Sequence, residues 1–456
     1  MTISVEKINA IIASEKATFL ENYKRIVESP SVSAQHEHQN DIRETAQIAA
    51  GYLKEAGAQF VKIYETRGNP VVFGRITNKE GAPTVAVYNH LDVQPAAKGK
   101  DGWTRDPFAF TEENGRYYSR GTTDDKGPAM TALWGAKIAS QLGVPTNIEF
   151  IWELEEEIGS PHFESFIEEA RKDIRAESVL VSDTLWLSPS TPSITRGLRG
   201  LQGFLVRLRT GQKDVHSGVT GGAARNPITE LCGLIAKCVN TTTGEILIPG
   251  FDKTWKKPSQ EDIDDHVRSG FTVENFKAAN KLTSLRVNTP EEVVSRIWLS
   301  PTFEVHGIAG GYQDEGLKTV VPPFAEAKIS MRLVPGQKPE EIAKLFTEFA
   351  KSIIPDCEIE LEHGLLPYAA PSHLAQNDYI AKAYEFGFGA KPASVREGGS
   401  IGAVVTMAEK LNVPVLFMGM SLPEDSYHGP DESFAWRQVE GGVRSFVKYF
   451  ELLGSK

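Results

Sequence analysis

Pro83-Thr-Val-Ala-Val-Tyr-Asn-His90-Leu-Asp92 is a short apolar run that ends in an imidazole and a carboxylate. A run of that length and texture is the pattern of a strand buried on both faces, as found in largely parallel sheets covered by helices. The arrangement recurs. Asn147-Ile-Glu-Phe-Ile-Trp-Glu-Leu runs into Glu155-Glu156-Glu157, Ser178-Val-Leu-Val-Ser-Asp183 ends in a carboxylate, and Val413-Pro-Val-Leu-Phe-Met-Gly-Met420 precedes a loop carrying His428. In open α/β sheets ligand sites lie beyond the carboxyl ends of the strands. The four runs therefore predict one sheet edge furnished with His, Glu, Asp and His. Taken singly, each has a plain explanation as a core histidine or a solvated acidic run; it is the convergence that points to chemistry.

Between the first two runs lies Arg120-Gly-Thr-Thr-Asp-Asp-Lys-Gly-Pro-Ala-Met130. Two carboxylates, a lysine, a glycine and a proline before a helical pattern predict a tight turn feeding a helix, with Pro128 at the first helical position. Such a turn holds Asp124 rigidly. An isolated Asp-Asp pair is usually a solvated turn, so the weight falls on the other His, Asp and Glu residues.

Outward from this centre, helical spacing covers about 4–29, 40–56, 376–387 and 401–411, with a final helix to the C-terminus. Phe60–Tyr64 and Val71–Ile76 read as strands. After Asp183 the texture changes to alternating strands, among them Phe303–Gly307 and Ala325–Leu333. One good helix, Asn226 to Val239, opens with Asn226-Pro227 as cap and first position. The polar, proline-rich stretch from about 244 to 300 reads as an insertion. The expected fold is α/β: a mainly parallel sheet with flanking helices, built from 1–196 and 368–456 as a discontinuous catalytic domain, plus an inserted α+β domain at 197–367.

A length of 456 residues exceeds what one growing core usually accommodates. With 40% hydrophobic and 24% charged residues the composition is that of an ordinary globular protein, and a net charge of -11 argues against a general nucleic-acid binder. Three cysteines, Cys232, Cys238 and Cys357, with no Cys-x-x-Cys spacing, indicate neither a disulfide framework nor a thiolate metal site. The first residues lack the pattern of a signal peptide, and no stretch of about 18 apolar residues occurs. A cytoplasmic protein with a small partner and no membrane association is expected.

His90, Asp124, Glu157, Asp183 and His428 supply imidazole and carboxylate without thiolate, the donor set of a catalytic zinc site rather than a structural one. Five ligands are too many for one tetrahedral ion with an open position. They suit two ions about 3.5–4 Å apart that share a carboxylate. One carboxylate should then stay outside the ligand set to accept a proton from water. Glu156 is placed for that, while Asp92 would orient the His90 imidazole.

His90-Leu-Asp92, Gly121-Thr-Thr-Asp-Asp-Lys-Gly127, Glu155-Glu-Glu-Ile-Gly-Ser160, Ser182-Asp183, Asp214-Val-His-Ser-Gly218, Arg396-Glu-Gly-Gly-Ser400 and the late His428 together resemble the M20 metallopeptidases, in particular the cytosolic nonspecific dipeptidase and carnosinase branch. The resemblance runs from about 15 to 450 with the motifs in family order. It implies that Asp124 bridges two Zn2+ ions, with Mn2+ or Co2+ as possible substitutes, and is followed by a cis peptide to Asp125. His90 and Asp183 would complete one ion's ligands, Glu157 and His428 the other's. Glu156 would be the general base. The inserted domain would serve as lid and dimerisation domain of a homodimer, with His216 reaching a partner subunit's site to stabilise the oxyanion. Arg332, Thr319, Ser400, the neighbouring Gly399 amide and His363 match substrate-binding places.

One departure is the loop Pro423-Glu-Asp-Ser-Tyr-His-Gly-Pro-Asp-Glu-Ser-Phe434, where the dipeptidase branch usually has an Ala-His-Ser type run. The loop borders the substrate, so specificity is the property it touches. Expected, then, is hydrolysis of dipeptides or short peptides by a di-zinc-activated water. The alternatives are an N-acyl amino acid amidohydrolase using the same chemistry and a non-catalytic metal-binding protein. Every expected position is filled, which speaks against the last.

Overall fold

In the computed structural model, which describes residues 3–455 except 269, 363, 372 and 373, the four apolar runs become adjacent strands of one six-stranded sheet. Its order is Phe60–Tyr64, Val71–Ile76, Asn147–Glu153, Thr84–His90, Ser178–Val181, Val415–Phe417. The last four are mutually parallel, and Val71–Ile76 runs antiparallel to both its neighbours. Parallel neighbours need a crossover. Helices Lys126–Gln141 and Phe163–Ala170 supply the crossovers that flank Asn147–Glu153.

Side chains alternate between the two faces of a strand, so a doubly covered strand feeds two cores. Val85 and Val87 join a cluster with helices Val5–Val27, Gln39–Glu55, Lys126–Gln141, Ala375–Phe388 and Trp436–Leu453. Ala86 and Tyr88 join a second cluster with Phe163–Ala170 and Gly402–Leu411. Glu149, a charge inside a fully buried strand, meets Arg75 Nε at 2.7 Å and accepts the N–H groups of Arg175 and Ala176. Its burial is therefore paired and hydrogen-bonded.

Helix Lys126–Gln141 begins two residues before the expected position of Pro128. The proline still lies in the first turn, where its missing N–H would have no intrahelical partner. The earlier start lets Lys126 N–H donate to Gly121 O at 3.1 Å, closing the turn around Asp124.

A separate antiparallel sheet lies within 200–361, ordered Thr302–Gly310, Phe324–Leu333, Gly200–Arg209, Glu358–Leu361. Helices Pro227–Cys238 and Pro339–Ile353 share its apolar core with Phe204, Ile329 and Phe346. Pro339–Ile353 has the signals of a helix start, proline in the first turn with Glu340 and Glu341, although the reading above leaves it unassigned. A three-stranded sheet, Tyr368–Ala369, Ser193–Leu198, Ala393–Glu397, carries the chain from one sheet to the other. The stretch read as a polar insertion is folded: helices Gln260–Arg268, Val273–Ala279 and Pro290–Val294 bury Phe271, Val273, Val293 and Val294 in a cluster of their own. Its apolar residues are sparse, so the pattern is masked by the polar face each short helix turns outward. Among the described residues no helix is long and apolar enough to cross a membrane.

Candidate active site

The turn around Asp124 is held from behind by a residue far away in the chain. The Glu432 carboxylate, with no solvent exposure, accepts N–H bonds from Gly121 at 3.0 Å, Thr123 at 2.8 Å and Asp124 at 3.0 Å. It also pairs with buried Arg120 at 2.7 Å. Lys126 Nζ caps the Ile26 and Ser29 carbonyls, and its burial pulls the ammonium down to about 7. A Cβ on Gly127 would stand 2.0 Å from Thr122 O, so only glycine lets the helix approach the turn this closely. Asp125 accepts from Asn89 Nδ2 at 2.8 Å and His90 N at 3.2 Å, locking the turn to strand Thr84–His90. The Asp124–Asp125 peptide bond is cis.

On this frame the two oxygens of Asp124 face two imidazoles. His90 Nε2 is 2.9 Å from Oδ1 and His428 Nε2 is 2.9 Å from Oδ2. Asp183 lies 3.7 Å from His90 Nε2, and Glu157 lies 3.2 Å from His428 Nε2. Donor atoms of His90, Asp124 and Asp183 all fall within 4.8 Å of one another, as do those of Asp124, Glu157 and His428. Two three-donor clusters thus share one carboxylate. The Glu157 Oε1 atom is buried with no hydrogen-bond partner. A mixed imidazole–carboxylate donor set with an orphaned carboxylate oxygen fits a pair of divalent cations.

The electrostatics agree with that fit. Burial pushes Asp124 up, but His428 and His90 outweigh it and hold the carboxyl well below the usual range. Burial leaves Asp183 raised to about 6. Glu156 belongs to neither cluster. Burial, offset in part by His90 and reinforced by Asp183, Glu157 and Asp92, holds its carboxyl well above the usual range. So many carboxylates around one cleft call for positive charge.

Asp92 does more than the sequence implied. Its carboxylate accepts the N–H groups of Glu156 at 3.1 Å and Glu157 at 3.0 Å. His90 Nδ1 is 3.0 Å from the Asp92 carbonyl and 3.5 Å from its carboxylate. The residue therefore orients the imidazole chiefly through its backbone while its side chain sets the Glu156–Glu157 turn. Tyr427 and Gln94 were not anticipated: Tyr427 OH donates to Asp183, and Gln94 Nε2 donates to Glu157 Oε2 at 2.8 Å.

The clusters open into a cleft of about 680 Å³ that Glu156, Arg332, Gly399 and Ser400 also line. Arg332 donates to Ser400 Oγ at 3.1 Å across the two parts of the chain. His216 and Thr319 are not at this cleft. They sit exposed beside each other, joined by Ser217 N to Thr319 O at 3.0 Å, with His216 Nδ1 accepting from Gly218 N. His363 lies outside the described residues. In the loop that departs from the family pattern, Tyr427 and His428 line the cleft, whereas its acids are anchors: Asp425 pairs with Arg116 at 2.6 Å, Asp431 accepts from Thr104 and Arg105, and Glu432 holds the Asp124 turn.

Residues 86–452 match the model of Peptidase family M20/M25/M40, and the chain belongs to that family. It is 33% identical to the Cys-Gly metallodipeptidase dug1 of Schizosaccharomyces pombe, over 100% of this chain and 99% of that one. It is 28% identical to the human Beta-Ala-His dipeptidase, over 98% and 92% of the two chains. Among solved structures it is similar to the di-peptidase Dug1p of Saccharomyces cerevisiae, with a TM-score of 0.90, 26% identity and full coverage of both chains. Human carnosine dipeptidase 1 superposes with a TM-score of 0.89 at 28% identity, again with full coverage.

Proposed function

We propose that this chain is a metal-dependent dipeptidase that cleaves dipeptides or short peptides with a free carboxyl terminus. What carries this is the pair of three-donor clusters sharing Asp124, with Glu156 beside them and the Arg332–Ser400 pair in the same cleft. His90, Asp124 and Asp183 would hold one cation, and Asp124, Glu157 and His428 the other, with Zn2+ first and Mn2+ or Co2+ as substitutes. Cations held there supply Lewis-acid polarisation of the scissile carbonyl and acidify water at the site. Glu156 accepts the proton of the attacking water and delivers it to the leaving amine. Asp92 keeps the Glu156 and Glu157 backbone in place during that transfer. Arg332, Ser400 and the Gly399 amide hold the terminal carboxylate through charge-assisted hydrogen bonds.

The S. pombe and human relatives are both named dipeptidases, which favours peptide substrates over N-acyl amino acids. The discriminating assay gives the purified protein, loaded with Zn2+ or Mn2+, dipeptides and N-acyl amino acids side by side. Dipeptides should be preferred by at least about tenfold, and a preference for N-acyl amino acids would replace this reading with an amidohydrolase. Amidating the dipeptide's carboxyl terminus should raise KM about 10- to 100-fold, the range expected for losing a hydrogen bond to a charged group. An unchanged KM would remove Arg332 and Ser400 from carboxylate binding.

We place His216 and Thr319 in the active site of a second copy, in a closed two-fold homodimer. Both are exposed, mutually adjacent and away from their own cleft, on the part of the chain that carries the separate sheet. Mixing Glu156→Gln and His216→Ala subunits should then restore activity to roughly a quarter of wild type under random exchange. No recovery despite demonstrated exchange would exclude a shared site. A cytoplasmic location fits the three free thiols.

A further inference from the structure

One residue stands where the chain crosses from one sheet to another. Arg199 is the single position between strands Ser193–Leu198 and Gly200–Arg209, and so between the three-stranded sheet and the separate antiparallel one. Ser193–Leu198 pairs with Ala393–Glu397, which leads into Ser400, and Gly200–Arg209 pairs with Phe324–Leu333, which carries Arg332. The two members of the Arg332–Ser400 pair therefore come from the two sheets that meet at Arg199.

Its contacts tie these parts together. Arg199 N–H donates to Glu397 O at 3.2 Å, and Arg199 O accepts from Ser400 Oγ, the atom that itself accepts from Arg332. The guanidinium reaches the other way, with Nη1 directed at Arg296 O at 3.4 Å and Ser300 O at 3.5 Å. These carbonyls belong to, and directly follow, the turn Ser295–Leu299, which brings Trp298 to the cleft lining. A Cβ on Gly398 would stand 2.7 Å from Arg199 Nη2 and 3.4 Å from Ile297 O, so only glycine lets the loop before Ser400 pass this close.

Among the described residues the Arg199 guanidinium has no ion-pair partner: its Nε is buried without a hydrogen bond, and Glu304 attracts it only from a distance. Burial, with Arg332 close by, pulls it down to about 10, which leaves it charged at neutral pH. A charge withdrawn from water and given only carbonyls is costly to keep. A carboxylate bound at Arg332 and Ser400 would relieve both that cost and the repulsion between the two guanidiniums. We infer that Arg199 is a positioning residue for the substrate's terminal carboxylate: it fixes the Ser400 hydroxyl and the Gly398–Gly399 segment against Arg332, and its unpaired charge is balanced when that carboxylate binds. This role rests on the dipeptidase reading with its carboxylate subsite, and it names the residue that assembles the subsite from two sheets.

The test measures kcat and KM of the metal-loaded wild type, Arg199→Met and Arg199→Lys for Ala-Gly and Leu-Gly and for their carboxyl-terminal amides. Arg199→Met should raise KM for the free acids about tenfold or more, the scale of losing an interaction with a charged group, with kcat changed no more than about threefold. The amides carry no terminal charge and should be affected far less, so the free-acid to amide ratio of kcat/KM falls about tenfold. Arg199→Lys keeps the positive charge and should hold that ratio within about threefold of wild type. Free acid and amide meet the same sample, so any loss of folded enzyme cancels in the ratio. Where the methionine variant does not fold, Arg199→Gln replaces it with the same expected fall. An unchanged ratio in the uncharged variant, an equal loss on free acid and amide, or a lysine variant that loses the ratio as fully overturns this role while leaving the dipeptidase reading intact. A wild type that cleaves free acid and amide alike removes the carboxylate subsite itself, and turnover of neither overturns the dipeptidase reading as well.

Discussion

Glu156→Gln is expected to retain both cations and to lower kcat by about 10^3-fold, within the range that positioned acid–base groups contribute. The amide is nearly isosteric but has no basic oxygen for the proton. Glu156 stands outside both donor clusters, and its backbone is fixed by Asp92, so the substitution leaves ligand geometry in place. Metal content by elemental analysis and kcat must be measured on one preparation. A variant that keeps most of its rate, or one that loses its metal, would show that Glu156 has the wrong role. Asp124→Ala should give the contrasting result, loss of metal from both clusters together, because each cluster uses that carboxylate.

Glu432→Ala is expected to cost about 3–5 kcal/mol of folding stability, the penalty for removing one partner of a buried ion pair. Arg120, 2% exposed, would keep its charge without a counterion, and the N–H groups of Gly121, Thr123 and Asp124 would lose their acceptor. The Asp124 turn loosens with them, so cation affinity should fall alongside. Glu432→Gln keeps an oxygen for the amides but drops the charge and should be affected less. Urea unfolding and metal titration on the two variants decide the matter. Stability within about 1 kcal/mol of wild type, with unchanged metal affinity, would reduce Glu432 to an incidental neighbour.

How the site was visible in the sequence differs from residue to residue. His90 ends, and Asp183 and the Glu155–Glu157 run follow, a strand that is buried throughout and largely apolar, and burial on both faces leaves that pattern without any knowledge of partners. Asp124 was marked by its turn chemistry. Glu432 carried no comparable mark: its pairing with Arg120 spans 312 positions, and in a loop rich in acids nothing local separates an anchor from a solvated charge. The same holds for Tyr427 on Asp183 across 244 positions. Trp298 was hidden for another reason, since short helices with narrow apolar stripes average out to a polar segment.

The sequence by itself determined the doubly covered, mainly parallel sheet, the edge at which its strands deliver His, Asp and Glu side chains, and the family, because strand periodicity, turn residues and motif order are local properties. Only the tertiary structure decided that Asp124 faces His90 with one oxygen and His428 with the other, that Asp92 braces the Glu156 backbone, and that Arg332 meets Ser400. It also decided that His216 and Thr319 stand together away from their own cleft. These are contacts between segments that the chain brings together only when the helices and both sheets have packed, and a hydrogen bond or charge pair leaves no periodic trace in either partner's neighbourhood.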